Sequence, residues 1–166
     1  MTPAGTTLTQ RGFRDVLGQF GTGVVLVTAA SGGGPVGMAM NSFTSVSLAP
    51  PLIALCAALT STTWPAIRAA GAFAVSILSE AEEEVCRTFS ARGADRFSGS
   101  DWARTPAGHP VTAHGLGWLD CSIRSVRVEG DHELVIAEAL DWSLGTRARP
   151  LIFQAGRYAG LSERTQ

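Results

Sequence analysis

Residues 37–52 read G-M-A-M-N-S-F-T-S-V-S-L-A-P-P-L, and no other stretch constrains the fold and the site as strongly. Apolar, strand-like sequence lies on both sides of it, at residues 24–30 and 52–59, so we expect a sheet to hold it rigidly. Neutral polar groups beside backbone N–H groups suit a ligand that has both an anionic part and a planar polar part. Five such side chains crowd into seven residues: Asn41, Ser42, Thr44, Ser45 and Ser47.

The residues around this stretch predict one helix and several strands. A β-branched run predicts a buried strand over residues 24–28, which ends in the S-G-G-G-P hairpin turn at residues 31–35. The Pro-Pro pair at residues 50–51 cannot sit inside a ladder, so we expect a turn or a sheet edge before a second buried strand at residues 52–59. An amphipathic helix is predicted over residues 11–20, where apolar side chains recur at helical spacing: Phe13, Val16, Leu17 and Phe20.

Two further short helices are predicted in the middle of the chain. Hydroxyl residues at 61–63 are natural N-caps for a helix that runs through residues 67–70. Ser79 and Glu82 have the spacing of a capping box, which predicts a helix over residues 80–89. The three consecutive glutamates that begin at Glu82 are interpreted as a solvated face of that helix.

The second half of the chain is typical of a β-meander that follows a long loop. Residues 90–109 are polar and contain glycine, so we interpret them as a loop that covers a site. Strands are predicted up to Val128, over residues 132–140 and over residues 151–158. Together these elements predict a mostly β fold, a small antiparallel barrel with two or three short flanking helices.

Length and composition predict one domain that spans residues 1–166, with a disordered tail at residues 1–9. Charged residues make up only 16% of the chain, which favours a homodimer over a compact monomer with a neutral surface. The net charge is −1 and the 13 basic residues are scattered, so no nucleic-acid partner is expected. The sequence contains neither a run of transmembrane length nor a signal peptide, which predicts a cytoplasmic protein without a membrane partner.

Several chemistries are excluded by residue types. All 13 basic residues are arginine, so a lysine Schiff base and a phosphate-loop lysine are impossible. The three histidines lack metal-ligand spacing, and no metal is predicted. Three widely spaced cysteines form no C-x-x-C pair; Cys121 is interpreted as a small buried apolar residue, and a cysteine–histidine nucleophile remains a minor alternative.

Six segments in order resemble the flavin reductase-like family, the split β-barrel flavoproteins of the FMN-binding type that reduce flavin with a nicotinamide. The resemblance covers residues 13–161 and implies an antiparallel, Greek-key-like split barrel. Its segments are F-R-D-V-L-G-Q-F from Phe13, the stretch from Gly37, F-A-V-S-I-L from Phe73, D-R-F-S-G-S-D-W from Asp95, G-D-H from Gly130 and R-P-L-I-F-Q-A-G-R-Y from Arg149.

The resemblance implies a set of flavin-binding residues. Thr62 and Thr63 are expected to hold the flavin phosphate, although simple helix capping is the alternative. Cys56, Ala57 and Ala58 are expected near the flavin. The isoalloxazine and ribityl groups are expected against Val36, Gly37, Met38, Ala39, Asn41 and Ser42.

The resemblance also implies a nicotinamide side to the site. His132, which completes the G-D-H triplet, is expected to be catalytic by positioning or polarising the nicotinamide; the alternative is a strand-end histidine that bonds the backbone. The opposite wall is expected from the last strand, or else that strand is ordinary barrel packing. Its residues are Phe153, Gln154, Ala155, Gly156 and Tyr158.

The chain departs from the family pattern at a few positions. Ala39 stands where relatives usually have threonine, and Met40 replaces a small residue. Ala155 stands where arginine is common, and we expect Arg157 to substitute in part if the two share a strand face. These departures bear on how tightly the flavin is held.

The resemblance therefore implies an NAD(P)H:flavin oxidoreductase. Such an enzyme moves a hydride from nicotinamide C4 to flavin N5 and supplies reduced FMN or FAD to a separate monooxygenase. One alternative is a flavoenzyme that keeps its flavin bound and acts on its own organic substrate. The other is a non-catalytic module that binds flavin or haem.

Overall fold

The computed structural model describes residues 9–91 and 93–161. Its helices are α1 (Gln10–Leu17), α2 (Trp64–Ala70) and α3 (Glu83–Ser90), and a 3-10 turn (Glu80–Glu82) leads into α3. The strands are β1 (Thr22–Gly23), β2 (Val25–Ser31), β3 (Gly34–Met40), β4 (Thr44–Leu48), β5 (Pro51–Ala58), β6 (Ala72–Ile77), β7 (Trp102–Arg104), β8 (Pro110–Thr112), β9 (Gly117–Glu129), β10 (His132–Leu144), β11 (Ile152–Gln154) and β12 (Arg157–Ala159).

Seven strands form one antiparallel sheet in the order β3-β2-β6-β9-β10-β5-β4. Its two outer strands, β3 and β4, follow each other in the chain but occupy opposite edges of the ladder. The sheet curls around a core without closing there, so the predicted mostly β split barrel with three short helices is confirmed. Two small sheets, β1-β11-β12 and β7-β8, lie beside it.

Strand β2 separates two apolar cores because its side chains alternate between its faces. Val25 and Val27 point into the barrel with Leu55, Val75 and Val135. Residues on the other face, together with α3, form a second core outside the barrel: Val24, Leu26, Leu78, Cys86, Phe89 and Leu151. The sheet is therefore covered on both faces where α3 lies.

Helix α1 is shorter than predicted, and its apolar face is exposed. Thr9 caps it by accepting a hydrogen bond from the Gly12 N–H at 3.0 Å, and Gly18 ends it. Residues 1–8 of the expected tail lie outside the described residues. The apolar side chains that predicted the helix are between 55% and 76% exposed: Phe13, Val16, Leu17 and Phe20. None of the three helices is long and apolar enough to cross a membrane within the described residues.

The predicted capping box is present, but Glu82 is not part of a solvated face. Its carboxylate accepts hydrogen bonds from the Ser79 N–H at 2.9 Å and the Ser79 hydroxyl at 3.1 Å. Glu82 is only 4% exposed, because the cap turns its side chain back toward the chain. The interpretation of the three glutamates as a solvated helix face is therefore wrong for Glu82.

The predicted last strand, residues 151–158, is a hairpin of β11 and β12. Ala155 and Gly156 form its turn with φ angles of 48° and 77°, so Gln154 pairs with Arg157 across it. Arg157 was expected to substitute in part for a charge at position 155 only if the two residues share a strand face, and that condition is not met, because the chain reverses between them. The predicted loop at residues 90–109 also contains a strand, β7, which pairs with β8.

The prediction for Cys121 is confirmed. The residue is 1% exposed in the barrel core, and burial raises the pKa of its thiol to about 12. Cys86 is equally buried in the outer core, where burial also raises its thiol pKa. Both thiols are therefore protonated at neutral pH.

Gly37 lies where α3 approaches β3 most closely. A Cβ atom at this position would come within 2.8 Å of the Phe89 ring and 2.9 Å of the Thr28 methyl group. The absent side chain is therefore a packing requirement of the outer core.

We expect Gly37→Ala to lower the free energy of unfolding by about 1–3 kcal/mol, because the methyl group overpacks this contact. Chemical denaturation measures the change. Gly32→Ala is the matched control, since nothing lies within 4 Å of its built Cβ. Equal stability of the two variants would show that α3 shifts freely on the sheet.

Candidate active site

Four adjoining cavities form a trench between β3, α2, α3 and the β11–β12 hairpin. We name them the main cleft (about 670 Å³), the aromatic cavity (about 140 Å³), the outer cavity (about 330 Å³) and the helix-side cavity (about 310 Å³). The main cleft shares Ala39 and Ser90 with the aromatic cavity. The helix-side cavity joins the aromatic cavity at Asn41 and Phe153. The main cleft shares Thr62, Thr63 and Arg96 with the outer cavity, so the four cavities are connected in series.

The main cleft is lined mostly by small and hydroxyl residues. One wall is β3, through Met38 and Ala39, and the other is α3 with the loop that follows it. The floor is the chain between β5 and α2, which supplies four hydroxyl groups: Thr60, Ser61, Thr62 and Thr63. Such a lining offers many neutral hydrogen-bonding groups to a polar ligand.

Ser61 caps α2 in place of the two threonines that follow it. Its hydroxyl accepts hydrogen bonds from the N–H groups of Thr63 at 3.3 Å and Trp64 at 3.1 Å. Thr63 occupies the N-cap position, but its side chain makes no capping bond. The Thr63 hydroxyl is therefore directed to another partner.

That partner is Arg96, which comes from the loop after α3. Its guanidinium donates hydrogen bonds to the Thr63 hydroxyl at 2.8 Å and to the Gly37 carbonyl at 3.1 Å. Its Nε–H is buried and has no hydrogen-bond partner among the described residues. The ion pairs found among those residues do not include Arg96. A cation with neutral partners and one unsatisfied buried donor fits an anionic ligand.

The aromatic cavity has a wall of two aromatic rings in tilted contact. The Phe153 and Tyr158 centroids are 5.3 Å apart with the planes tilted by 56°. The Cys86 thiol donates a hydrogen bond to the Tyr158 hydroxyl at 3.2 Å, and the Arg87 guanidinium lies 4.8 Å from the Tyr158 ring centre. Burial raises the Tyr158 pKa. The ring is held from three sides and offers a fixed apolar surface to a planar ligand.

The structure brings most of the predicted site residues together. Phe153 and Tyr158 meet the β3 residues in the aromatic cavity, although they were predicted on one continuous strand. Eleven of the sixteen residues predicted to bind the flavin or the nicotinamide line the trench: Val36, Gly37, Met38, Ala39, Asn41, Ala58, Thr62, Thr63, Phe153, Ala155 and Tyr158.

The other predicted residues lie beside the trench. The Ser42 hydroxyl accepts a bond from the Cys56 N–H at 3.0 Å and donates to the Cys56 carbonyl at 3.1 Å, which ties the turn after β3 to β5. Ala57 is buried in the barrel core. The Gln154 side chain donates to the Gln19 carbonyl at 3.0 Å, and Gly156 lies in the hairpin turn.

His132 begins β10 and lies next to the trench through Ala58, its partner in β5. Its Nδ1 is 2.6 Å from an Asp131 carboxylate oxygen, and this hydrogen bond lowers the Asp131 pKa. With Nδ1–H donated to the carboxylate, Nε2 is the atom that is left to meet a ligand. The side chain is 44% exposed, so it is accessible.

Sequence reasoning missed Arg96, Ser61, Ser90 and Cys86 as parts of the site. The signal for Arg96 was available, since it belongs to the segment D-R-F-S-G-S-D-W that carries the resemblance. Nothing local marked Cys86, which reaches the aromatic cavity only because α3 packs beside β12. Within residues 9–91 and 93–161, no group of three His, Cys, Asp or Glu side chains has the geometry to hold a metal ion.

Comparison with known proteins gives the family. Residues 17–162 match the model of the flavin reductase like domain. The chain belongs to the flavin reductase-like family. It is 40% identical over 158 residues to the reductase subunit HsaB of a flavin-dependent monooxygenase from Rhodococcus jostii, which covers 95% of this chain and 81% of that protein.

Two solved structures of the family share the fold. Nitrilotriacetate monooxygenase component B from Mycobacterium thermoresistibile is 40% identical with a TM-score of 0.89, covering 95% of this chain and 90% of that one. The NADH:FAD oxidoreductase SgcE6 of Streptomyces globisporus, solved with NAD and FAD fragments, is 33% identical with a TM-score of 0.88, covering 95% and 96%. Flavin reductases thus have this split barrel.

We expect Arg96→Gln to weaken FMN binding about 10- to 100-fold, because a charge-assisted hydrogen bond to the phosphate is lost. Riboflavin, which has no phosphate, is expected to bind both proteins equally. Titration calorimetry measures both ligands, with Arg127→Gln on exposed β9 as the control. A parallel loss of riboflavin binding would mean that Arg96 supports the loop and not a phosphate.

Proposed function

We propose that this chain is an NAD(P)H:flavin oxidoreductase that delivers reduced FMN or FAD to a separate monooxygenase. The observation that carries the proposal is the trench. In it, a guanidinium that forms no ion pair among the described residues adjoins a hydroxyl-lined cleft and an aromatic wall. Flavins have an anionic end, a polyhydroxyl chain and a planar ring, in that order. The trench offers matching groups in the same order.

In this arrangement the flavin phosphate lies at Arg96, Thr62 and Thr63. The ribityl chain follows the main cleft, where hydroxyl groups and β3 backbone groups meet it. The isoalloxazine lies near Ala39 and Asn41, at the junction with the aromatic cavity. The guanidinium of Arg96 supports this placement, because the residue lines both the main cleft and the outer cavity and forms no ion pair among the described residues.

The two bound rings supply the chemistry, which is transfer of a hydride from nicotinamide C4 to flavin N5. The chain contributes position. Phe153 and Tyr158 hold one face of the ring pair and exclude water from it. His132, oriented by Asp131, directs Nε2 toward the nicotinamide amide group and fixes the ring that carries the hydride.

The trench also suits release of the product. Arg96 is the one cation among the residues that line the four cavities, and apart from Asp95 at the outer cavity the remaining polar side chains are neutral. Neutral hydrogen bonds contribute less than charged ones, so the flavin is held modestly. A flavin that dissociates after reduction serves a separate oxygenase.

We expect the rate of NADH or NADPH oxidation, followed at 340 nm, to rise with the concentration of added FMN, FAD or riboflavin. The rise continues when the flavin concentration is well above that of the protein chains. His132→Ala is expected to lower kcat about 2- to 10-fold, because one hydrogen bond to the nicotinamide is lost. His114→Ala, a change at an exposed histidine, is the control.

Two results would contradict this proposal. Turnover that stays constant as flavin is added, with a bound flavin on the protein, would favour the flavoenzyme that acts on its own substrate. Unchanged kcat in His132→Ala would remove the histidine from the reaction. Two sequence departures fit that rival, the bulky Met40 and the missing charge at Ala155. Met40 is only 6% exposed and packs into the barrel core as well as bordering the aromatic cavity.

The active form is proposed to be a homodimer in the cytoplasm. Exposed apolar side chains support the dimer, because monomers rarely leave many of them together. Leu52 pairs with both Ser47 and Glu138, which brings the ends of β4 and β10 to one part of the sheet. The exposed side chains there form what we name the β10 patch: Val46, Leu48, Leu140, Trp142 and Leu144.

We expect light scattering to give about twice the 17.3 kDa mass of one chain. The double variant Trp142→Glu, Leu144→Glu is expected to shift the protein to monomer, because two carboxylates in a buried interface are strongly disfavoured. Val128→Glu, at an exposed apolar site on β9, is the control. A wild-type mass of one chain would refute the dimer.

A further inference from the structure

We propose that the outer cavity binds the adenosine monophosphate half of FAD and so makes FAD, rather than FMN, the preferred flavin. The inference rests on the proposed function, because it places the flavin phosphate at Arg96. It goes further by giving a role to a cavity that FMN leaves empty. The cavity measures about 330 Å³, which is in the range of small-molecule sites.

The position of the cavity carries the first part of the argument. It shares three residues with the main cleft, Thr62, Thr63 and Arg96, and these are the groups that meet the phosphate. The aromatic cavity adjoins the main cleft elsewhere, through Ala39 and Ser90. A ligand whose ring lies at the aromatic end and whose phosphate lies at Arg96 therefore continues into the outer cavity.

Arg96 is suited to a diphosphate because it borders both spaces. One terminal nitrogen donates to the Gly37 carbonyl and the Thr63 hydroxyl, and the other donates to the Ala91 carbonyl at 3.4 Å. The Nε–H is buried without a partner among the described residues. The second terminal nitrogen has two N–H groups, and the one that does not meet Ala91 is left for a phosphate oxygen where the two cavities join.

The walls of the outer cavity suit an adenosine group. Pro35, Val36 and Ala66 are small or flat apolar residues that can cover the faces of a purine. Asp95 lies at the same cavity with an exposed side chain, and a carboxylate commonly accepts hydrogen bonds from ribose hydroxyls. The same carboxylate disfavours any adenosine ligand whose ribose carries an additional phosphate.

The experiment compares Kd values for FAD, FMN and riboflavin by titration calorimetry on the full chain. Wild-type protein is expected to bind FAD more tightly than FMN. Ala66→Trp, which fills the outer cavity, is expected to raise the ratio of the FAD Kd to the FMN Kd at least about tenfold. Asp95→Asn, which keeps the shape of the side chain, is expected to raise it several-fold by weakening the ribose contact.

Ala70→Trp is the matched control, since it adds the same side chain to an exposed position of α2. Equal FAD and FMN affinities in wild-type and in Ala66→Trp would overturn the inference and leave the reductase function standing. If Ala66→Trp raises the KM for NADH and leaves the Kd for FAD unchanged, the inference is overturned too. The cavity would then belong to the adenosine of the nicotinamide cofactor. Failure of all three flavins to bind wild-type protein would refute the proposed function itself.

Discussion

The close contact between α3 and β3 at Gly37 is the constraint on which the rest of the site depends. Because Gly37 has no side chain, the Phe89 ring lies directly on the sheet. Phe89 in turn contacts Phe97 and Trp102, with ring centres 5.2 Å and 5.5 Å away, and these two anchor the loop after α3. The loop carries Arg96, whose guanidinium returns to the Gly37 carbonyl. The absence of a side chain at Gly37 thus lets α3 form one wall of the cleft. It also positions Arg96, the only cation among the described residues that line the cleft.

The site divides its work between rigid and adjustable parts. The β3 backbone and the Ser42–Cys56 hydrogen bonds are fixed by the sheet, so the place where a planar ring can lie is set in advance. The end of the trench that is proposed to bind the phosphate depends on an arginine from a loop and on threonine hydroxyls, which can rotate. Because Ser61 already occupies the first amide donors of α2, the backbone there adds little to anion binding.

Patterns of neighbouring residues predicted the parts of the fold that are local. The β-branched run of β2, the capping box at Ser79 and the Pro-Pro turn before β5 each depend on a few adjacent side chains. The hairpin at Ala155 was missed because an alanine with positive φ leaves no mark in composition. Arg96 was missed as a ligand for a different reason. Its place in the cleft depends on Gly37 and Thr63, which are distant from it in sequence and are brought to it only by the packing of α3.

The protonated thiols of Cys86 and Cys121 have a consequence for an enzyme that handles reduced flavin. Reduced flavin that meets oxygen before it reaches a partner yields hydrogen peroxide, which oxidises thiolates far faster than thiols. Both core cysteines are buried and have raised pKa values, so the by-product of the reaction finds little to attack inside the barrel. Cys56 is the exposed thiol, and a sulfenic acid there would alter the surface and leave both cores intact.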